Sequence, residues 1–124
     1  MRIPRLLACE SGSSAVELGV IASVFLSMLL GIANFAMVLW TLSSLHYAAE
    51  SAARYAAICA PSCNPAVTTF AVSRYFGQSL GSNNPFSYSA TSCGQTVTAS
   101  YNYPVSIPLI GNFTVPLSTT ACSP

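Results

Sequence analysis

Few residues in this chain are equipped for chemistry. The formal charges are Arg2, Arg5, Glu10, Glu17, Glu50, Arg54 and Arg74, joined by one histidine, His46, and five cysteines. There is no Asp and no Lys. Catalysis needs titratable groups that converge, and these do not pair: Glu10 and Glu17 lie near the N-terminus, while Glu50 is matched to Arg54 four residues on, the favourable order for a helical ion pair. No G-x-S-x-G, phosphate-cradling glycine loop or H-E-x-x-H occurs. The sequence therefore reads as a non-enzyme with no cofactor. A net charge of +1 lacks the basic stripe that phosphate recognition requires, which excludes a nucleic-acid partner.

Glu17 is the informative carboxylate, because it stands at the mouth of the longest uncharged run, the 28 residues from Leu18 to Leu45. As a helix that run is about 42 Å long, more than the ~30 Å hydrocarbon core of a bilayer. No second apolar run approaches that length, so the chain is expected to cross once, with its span at about 18–45. Arg2 and Arg5 precede the span and Glu50 and Arg54 cancel after it, which puts the N-terminus in the cytoplasm. Only 6% of residues are charged while 52% are hydrophobic, the balance of a membrane-associated or polymer-packed chain. Residues 1–12 read as a cytoplasmic leader.

Beyond the span, Cys59, Cys63, Cys93 and Cys122 form an even set in a short exported segment that has too little core to hold itself together. Two disulfides in an oxidising compartment are expected. Zinc binding is the competing reading, but neither C-x-x-C pairs nor a nearby His supports it. Cys59 with Cys63 and Cys93 with Cys122 is the shortest-range pairing. Cys93 shares parity with the apolar strand face and Cys122 does not, so this pairing needs a bulge or a frayed end, and crosslinks from strand to helix end stay open.

The elements that position these groups follow from periodicity. The span continues into the alanine-rich HYAAESAARYAAICA without a breaker until Pro61, so one helix is expected over 13–60. Asn64 can cap a second helix with Pro65 at its first position. Val67, Phe70, Ala71 and Arg74 form its stripe, and it should end near Leu80–Gly81. Residues 82–94 carry turn chemistry throughout and are expected to form a loop. Val97, Ala99, Tyr101, Tyr103 and Val105 alternate with polar neighbours, as do Phe113, Val115, Leu117 and Ala121. These segments are two strands joined by a wide loop at SIPLIGN, with Pro116 marking an edge. The expected class is α+β: a long N-terminal transmembrane helix continuing into a small exported domain, 61–124, with a second helix and a C-terminal antiparallel hairpin or sheet.

Ala15, Gly19, Ser23, Ser27 and Gly31 recur every four residues, a small-residue stripe along which helices can approach closely. Asn34 adds an intramembrane polar group better satisfied by a partner than by lipid. The order of basic leader, Gly12, Glu17 five residues on and then an apolar helix resembles the type IV prepilin signal. That resemblance implies cleavage by prepilin peptidase between Gly12 and Ser13 and an assembly role for Glu17. Cleavage would create an ammonium at Ser13, which the Glu17 of a staggered neighbour could neutralise at low dielectric.

More specifically, residues 12–58 with their Ala-Val-Glu at 15–17 and Ala-Ala-Arg-Tyr-Ala-Ala ending at Ala57, and the later VTASYNYPVSIPLIG, resemble TadE-like pseudopilins of the tight-adherence (Flp-type) pilus system. The family commonly has basic residues before the glycine, Phe after the glutamate and Pro six residues after it, where this chain has Glu10-Ser11, Leu18 and Ser23. The resemblance implies a minor pilin or assembly factor in the bacterial inner membrane, its C-terminal part periplasmic or, in the pilus, extracellular. Its partners would be other pilin subunits, the assembly machinery, the peptidase and the membrane. An uncleaved, signal-anchored scaffold of a secretion or pilus complex is the alternative.

Overall fold

The computed structural model describes residues 11–59, 64–107 and 111–124. The leader at 1–10, the break at 60–63 with Cys63, and residues 108–110 of the SIPLIGN connection lie outside the described residues. Two helices, α1 (Ser11–Cys59) and α2 (Asn64–Arg74), precede three strands, β1 (Phe86–Thr91), β2 (Gly94–Ile107) and β3 (Gly111–Ser123). The strands form one antiparallel sheet in the order β1-β2-β3. The expected α+β class is what the structure has. The chain divides into two compact units, Met1–Ala33 and Asn34–Pro124, and α1 runs through both.

In the second unit, alanines explain how α1 meets its neighbours. Ala48, Ala49, Ala52, Ala53 and Ala56 are buried, and with Leu45 they join Val67 and Ala71 of α2, Phe86 of β1, Val97, Ala99, Tyr103 and Val105 of β2, and Leu117 and Ala121 of β3 in one core. These small side chains are the face of α1 that the core covers. Enlarging that face should cost packing energy: Ala52→Leu is expected to destabilise the folded domain by about 1–3 kcal/mol, whereas Ala66→Leu on an exposed turn of α2 should change little. Chemical denaturation of both full-length variants, followed by circular dichroism, checks this.

The alternation expected for β2 matches its burial, and that for β3 holds from Val115 to Ala121, with Val97 opposite Ala121 and Tyr101 opposite Leu117, whereas Phe113 is 46% exposed. The edge position inferred from Pro116 also holds, since β3 pairs with β2 alone. Pro104 sits in the central strand without breaking a ladder, for a reason visible in the hydrogen bonding. Ser100 N–H donates to Pro85 O at 3.0 Å, so β2 residues of even number turn their nitrogens to the β1 side. There β1 pairs no further than Phe86 with Ala99, and Pro104 lies beyond it. The missing N–H thus falls where no strand would receive it.

Three expectations are corrected. Residues 82–94 are not all loop: Phe86–Thr91 is a strand whose polar side chains pair across the sheet. Thr91 Oγ1 lies 2.8 Å from Thr96 Oγ1, Ser87 Oγ donates to Thr98 O, and Tyr88 Oη donates to Gln95 Oε1. Phe86 N–H is received by Asn84 Oδ1 at 3.0 Å, so turn chemistry starts the strand instead of replacing it. The β2–β3 connection is also no wide loop, because Ile107 pairs with Gly111.

The third correction is that α2 ends at Arg74, well before Leu80. Tyr75 N–H turns back to Val72 O at 3.2 Å, and Phe76 N–H donates to Ser44 Oγ of α1 at 2.8 Å, so a tertiary hydrogen bond replaces the next helical one. Pro65 does open α2, with Thr68 and Thr69 hydroxyls donating to its carbonyl. The capping role assigned to the Asn64 side chain falls outside what is described.

Candidate functional site

The first unit holds the residues to which sequence assigns processing and assembly. Gly12, Ser13 and Glu17 lie in the first two turns of α1, all exposed, with Ser13 and Glu17 four apart and hence on one helix face. Ala15, Gly19, Ser23 and Ser27 are exposed and Gly31 is half-buried. The serines of this stripe are satisfied by their own helix: Ser23 Oγ donates to Val20 O and Ser27 Oγ to Val24 O, both at 2.8 Å. They therefore act as small spacers and not as donors waiting for a neighbour. At Gly19 and Gly31 an added Cβ would meet nothing within 4 Å. Asn34, expected to await a partner, already has an interaction within the chain.

Around these positions the helix surface is apolar. Val16, Leu18, Val20, Ile21, Val24, Phe25, Leu26 and Met28 are all more than half exposed. One helix among the described residues is long and apolar enough to cross a membrane, and its most apolar 18-residue window is entirely unburied. It fits a single-pass anchor. Thr41 is the first buried residue along α1 among the described residues, followed by Ser44 and Leu45, while Tyr47 and Ile58 further on are again exposed.

The groups outside that segment are arranged as structure. Cys93 and Cys122 form a disulfide with Cα atoms 6.4 Å apart, so these two thiols are not metal ligands. No bulge is needed, because Cys93 lies in the β1–β2 turn, outside the strand parity, and Thr96 faces Cys122. Gly94 makes the turn possible: its φ is +131°, and a Cβ there would strike Ser123 O and lie 2.7 Å from the Pro124 Cα. Cys59 is also disulfide-bonded, while Cys63 is outside the described residues.

Glu50 does not pair with Arg54. Its Oε1 lies 3.8 Å from His46 Nε2, one turn back, and His46 Nδ1 is 3.2 Å from Thr119 Oγ1 of β3. The histidine thus bridges α1 to the sheet edge. Among the described residues no three His, Cys, Asp or Glu side chains come together.

Sequence reasoning passed over Ser44, Trp40, Tyr47 and Phe76. Phe76 packs edge-on to Trp40 with centroids 5.5 Å apart and tilted against Tyr47 at 5.7 Å. The seven-residue spacing of Trp40 and Tyr47 was the available signal, since it places them on one helix face. Nearby, Tyr75 Oη donates to Gln78 O at 2.7 Å. Burial, and then the Tyr101 phenol beside it, raise the Tyr75 pKa above its ordinary value.

Comparison with known proteins bears on the helix alone. No curated protein and no solved structure matches the chain. The family model described as TadE-like protein matches residues 12–54. That match begins at Gly12 and takes in Glu17 and the whole exposed apolar stretch, so the similarity to TadE-like proteins lies in this N-terminal helix.

Proposed function

We infer that this chain is a minor pilin or pseudopilin of a Tad-type pilus, a structural and assembly component with no catalytic role. What carries the reading is the TadE-like match, which starts at the residue after which prepilin peptidase would cut. The peptidase acts between Gly12 and Ser13. The N-terminus faces the cytoplasm, α1 anchors the protein in the inner membrane, and the disulfide-stapled domain lies in the periplasm or, after assembly, outside the cell. Burial of Thr41 and Leu45 in the domain supports a membrane span that ends near Trp40, short of residue 45.

In this function the exposed stripe from Ala15 to Gly31 meets the helices of other pilin subunits. The apolar side chains around it face lipid before assembly and neighbouring helices afterwards. The His46–Thr119 bridge and the disulfide keep the domain folded when it leaves the bilayer surface.

Intact-mass determination of the protein from cells with active prepilin peptidase is expected to give a chain that begins at Ser13. A chain that retains Met1 would sink the processed-pilin reading and leave the uncleaved envelope scaffold in its place.

A further inference from the structure

Phe76 is a half-exposed apolar ring on a backbone turn that is firmly held. Three hydrogen bonds fix its turn: Tyr75 N–H to Val72 O, Phe76 N–H to Ser44 Oγ, and Tyr75 Oη to Gln78 O. The fold ends α2 early to make them, and the outcome is a phenyl ring presented outward, 51% exposed. It sits between Trp40, 58% exposed, and Tyr47, 49% exposed. This cluster does not stand alone on a polar surface. Within the same compact unit it continues the exposed Phe35, Met37 and Leu39 of α1, and α1 turns from exposed to buried at Thr41, immediately after Trp40.

We propose that Trp40, Tyr47 and Phe76 form a seat by which the domain rests on the phospholipid headgroup–acyl boundary, with Phe76 as a second insertion point beside the anchor helix. This rests on the reading of α1 as a membrane span. Trp and Tyr favour that boundary because their rings are apolar with one polar edge, and Phe fills the acyl side. The seven residues from Trp40 to Tyr47 cover about 10 Å along the helix, the depth an interfacial apolar face occupies. Charge does not oppose it: no Asp, Glu, Lys or Arg follows Arg74, and between Glu17 and Glu50 there is none. A lipid boundary accounts for the order along α1, uncharged from Leu18 through Trp40 with large apolar side chains exposed, and carrying His46, Glu50 and Arg54 beyond it.

The test uses the full-length protein in phosphatidylcholine–phosphatidylglycerol vesicles whose acyl chains carry bromines either near the headgroup or deep in the bilayer. Trp40 is the single tryptophan, so a Trp40→Phe background admits one reporter at a time. Phe76→Trp in that background is expected to lose about half its emission to shallow bromines and less to deep ones, while Leu26→Trp is quenched most by deep bromines. A deeply quenched Leu26→Trp reporter beside an unquenched, water-exposed Phe76→Trp reporter would overturn the seat and leave the membrane span standing. Failure of both reporters to respond would overturn the span and the seat together. Blue-shifted Phe76→Trp emission that no bromine quenches would mean that protein, such as a second copy, covers the ring, and this too overturns the proposal.

Discussion

Glu17→Ala is expected to leave the cut after Gly12 largely intact and to impair filament formation. The argument is electrostatic. Once the bond after Gly12 is cut, Ser13 carries an ammonium at the head of an exposed apolar helix, and in a low-dielectric surround an unpaired charge is costly. Within one subunit Ser13 and Glu17 are a helical turn apart, and in the proposed stagger the glutamate of one subunit would reach the terminus of the next. Breaking a buried pair by removing one partner costs about 3–5 kcal/mol, more than a hundredfold in the strength of that contact. Glu17→Gln, similar in size and uncharged, should fail in the same way, and Glu17→Asp should retain part of the function. Sheared-pilus yield, read together with the mass of the membrane-bound subunit, separates loss of assembly from loss of processing. Normal piliation of Glu17→Ala would remove charge pairing from the account.

Replacement of Cys93 and Cys122 together by serine should produce the largest loss of fold stability, about 3–4 kcal/mol from the entropy of a loop whose ends are 29 residues apart. The position of the bond explains why. β3 is an edge strand whose ladder partner among the described residues is β2 alone, and its final residues face the start of β2, where the disulfide ties them to the β1–β2 turn. Changing both cysteines avoids a stray thiol that could exchange with the disulfide of Cys59. Urea denaturation of the full-length protein in detergent, with and without reductant, measures the difference. A double-serine variant within about 1 kcal/mol of the parent would show that the His46–Thr119 contact and the shared core hold β3 unaided.

Much of this was legible in the chain because it depends on local pattern. The length of α1 follows from an unbroken helical composition. The buried faces of β2 and β3 follow from a period of two, since a shift by one residue would turn Val97 and Leu117 to water. Proline marked the β3 edge for the same kind of reason: it lacks one donor wherever it stands. The spacing of Gly12 and Glu17, on which the proposed cleavage and assembly roles rest, was legible in the sequence, and the TadE-like match covers both residues.

Tertiary structure decided what depends on residues distant in sequence. Ser44, 32 residues away in sequence from Phe76, helps end α2 because its hydroxyl takes the Phe76 N–H. β1 is a strand because β2 supplies hydroxyl and amide partners that make a Ser/Thr-rich segment as well satisfied in a sheet as in a loop. Glu50 faces His46 and not Arg54, and Thr119 of β3 holds that histidine from its other nitrogen. The end of the apolar surface on α1 was likewise hidden: Leu45 and Ser44 read as membrane residues in an uncharged run, yet the domain folds over them. A sequence can show that a side chain avoids water, but only the packed structure distinguishes lipid from protein as what covers it.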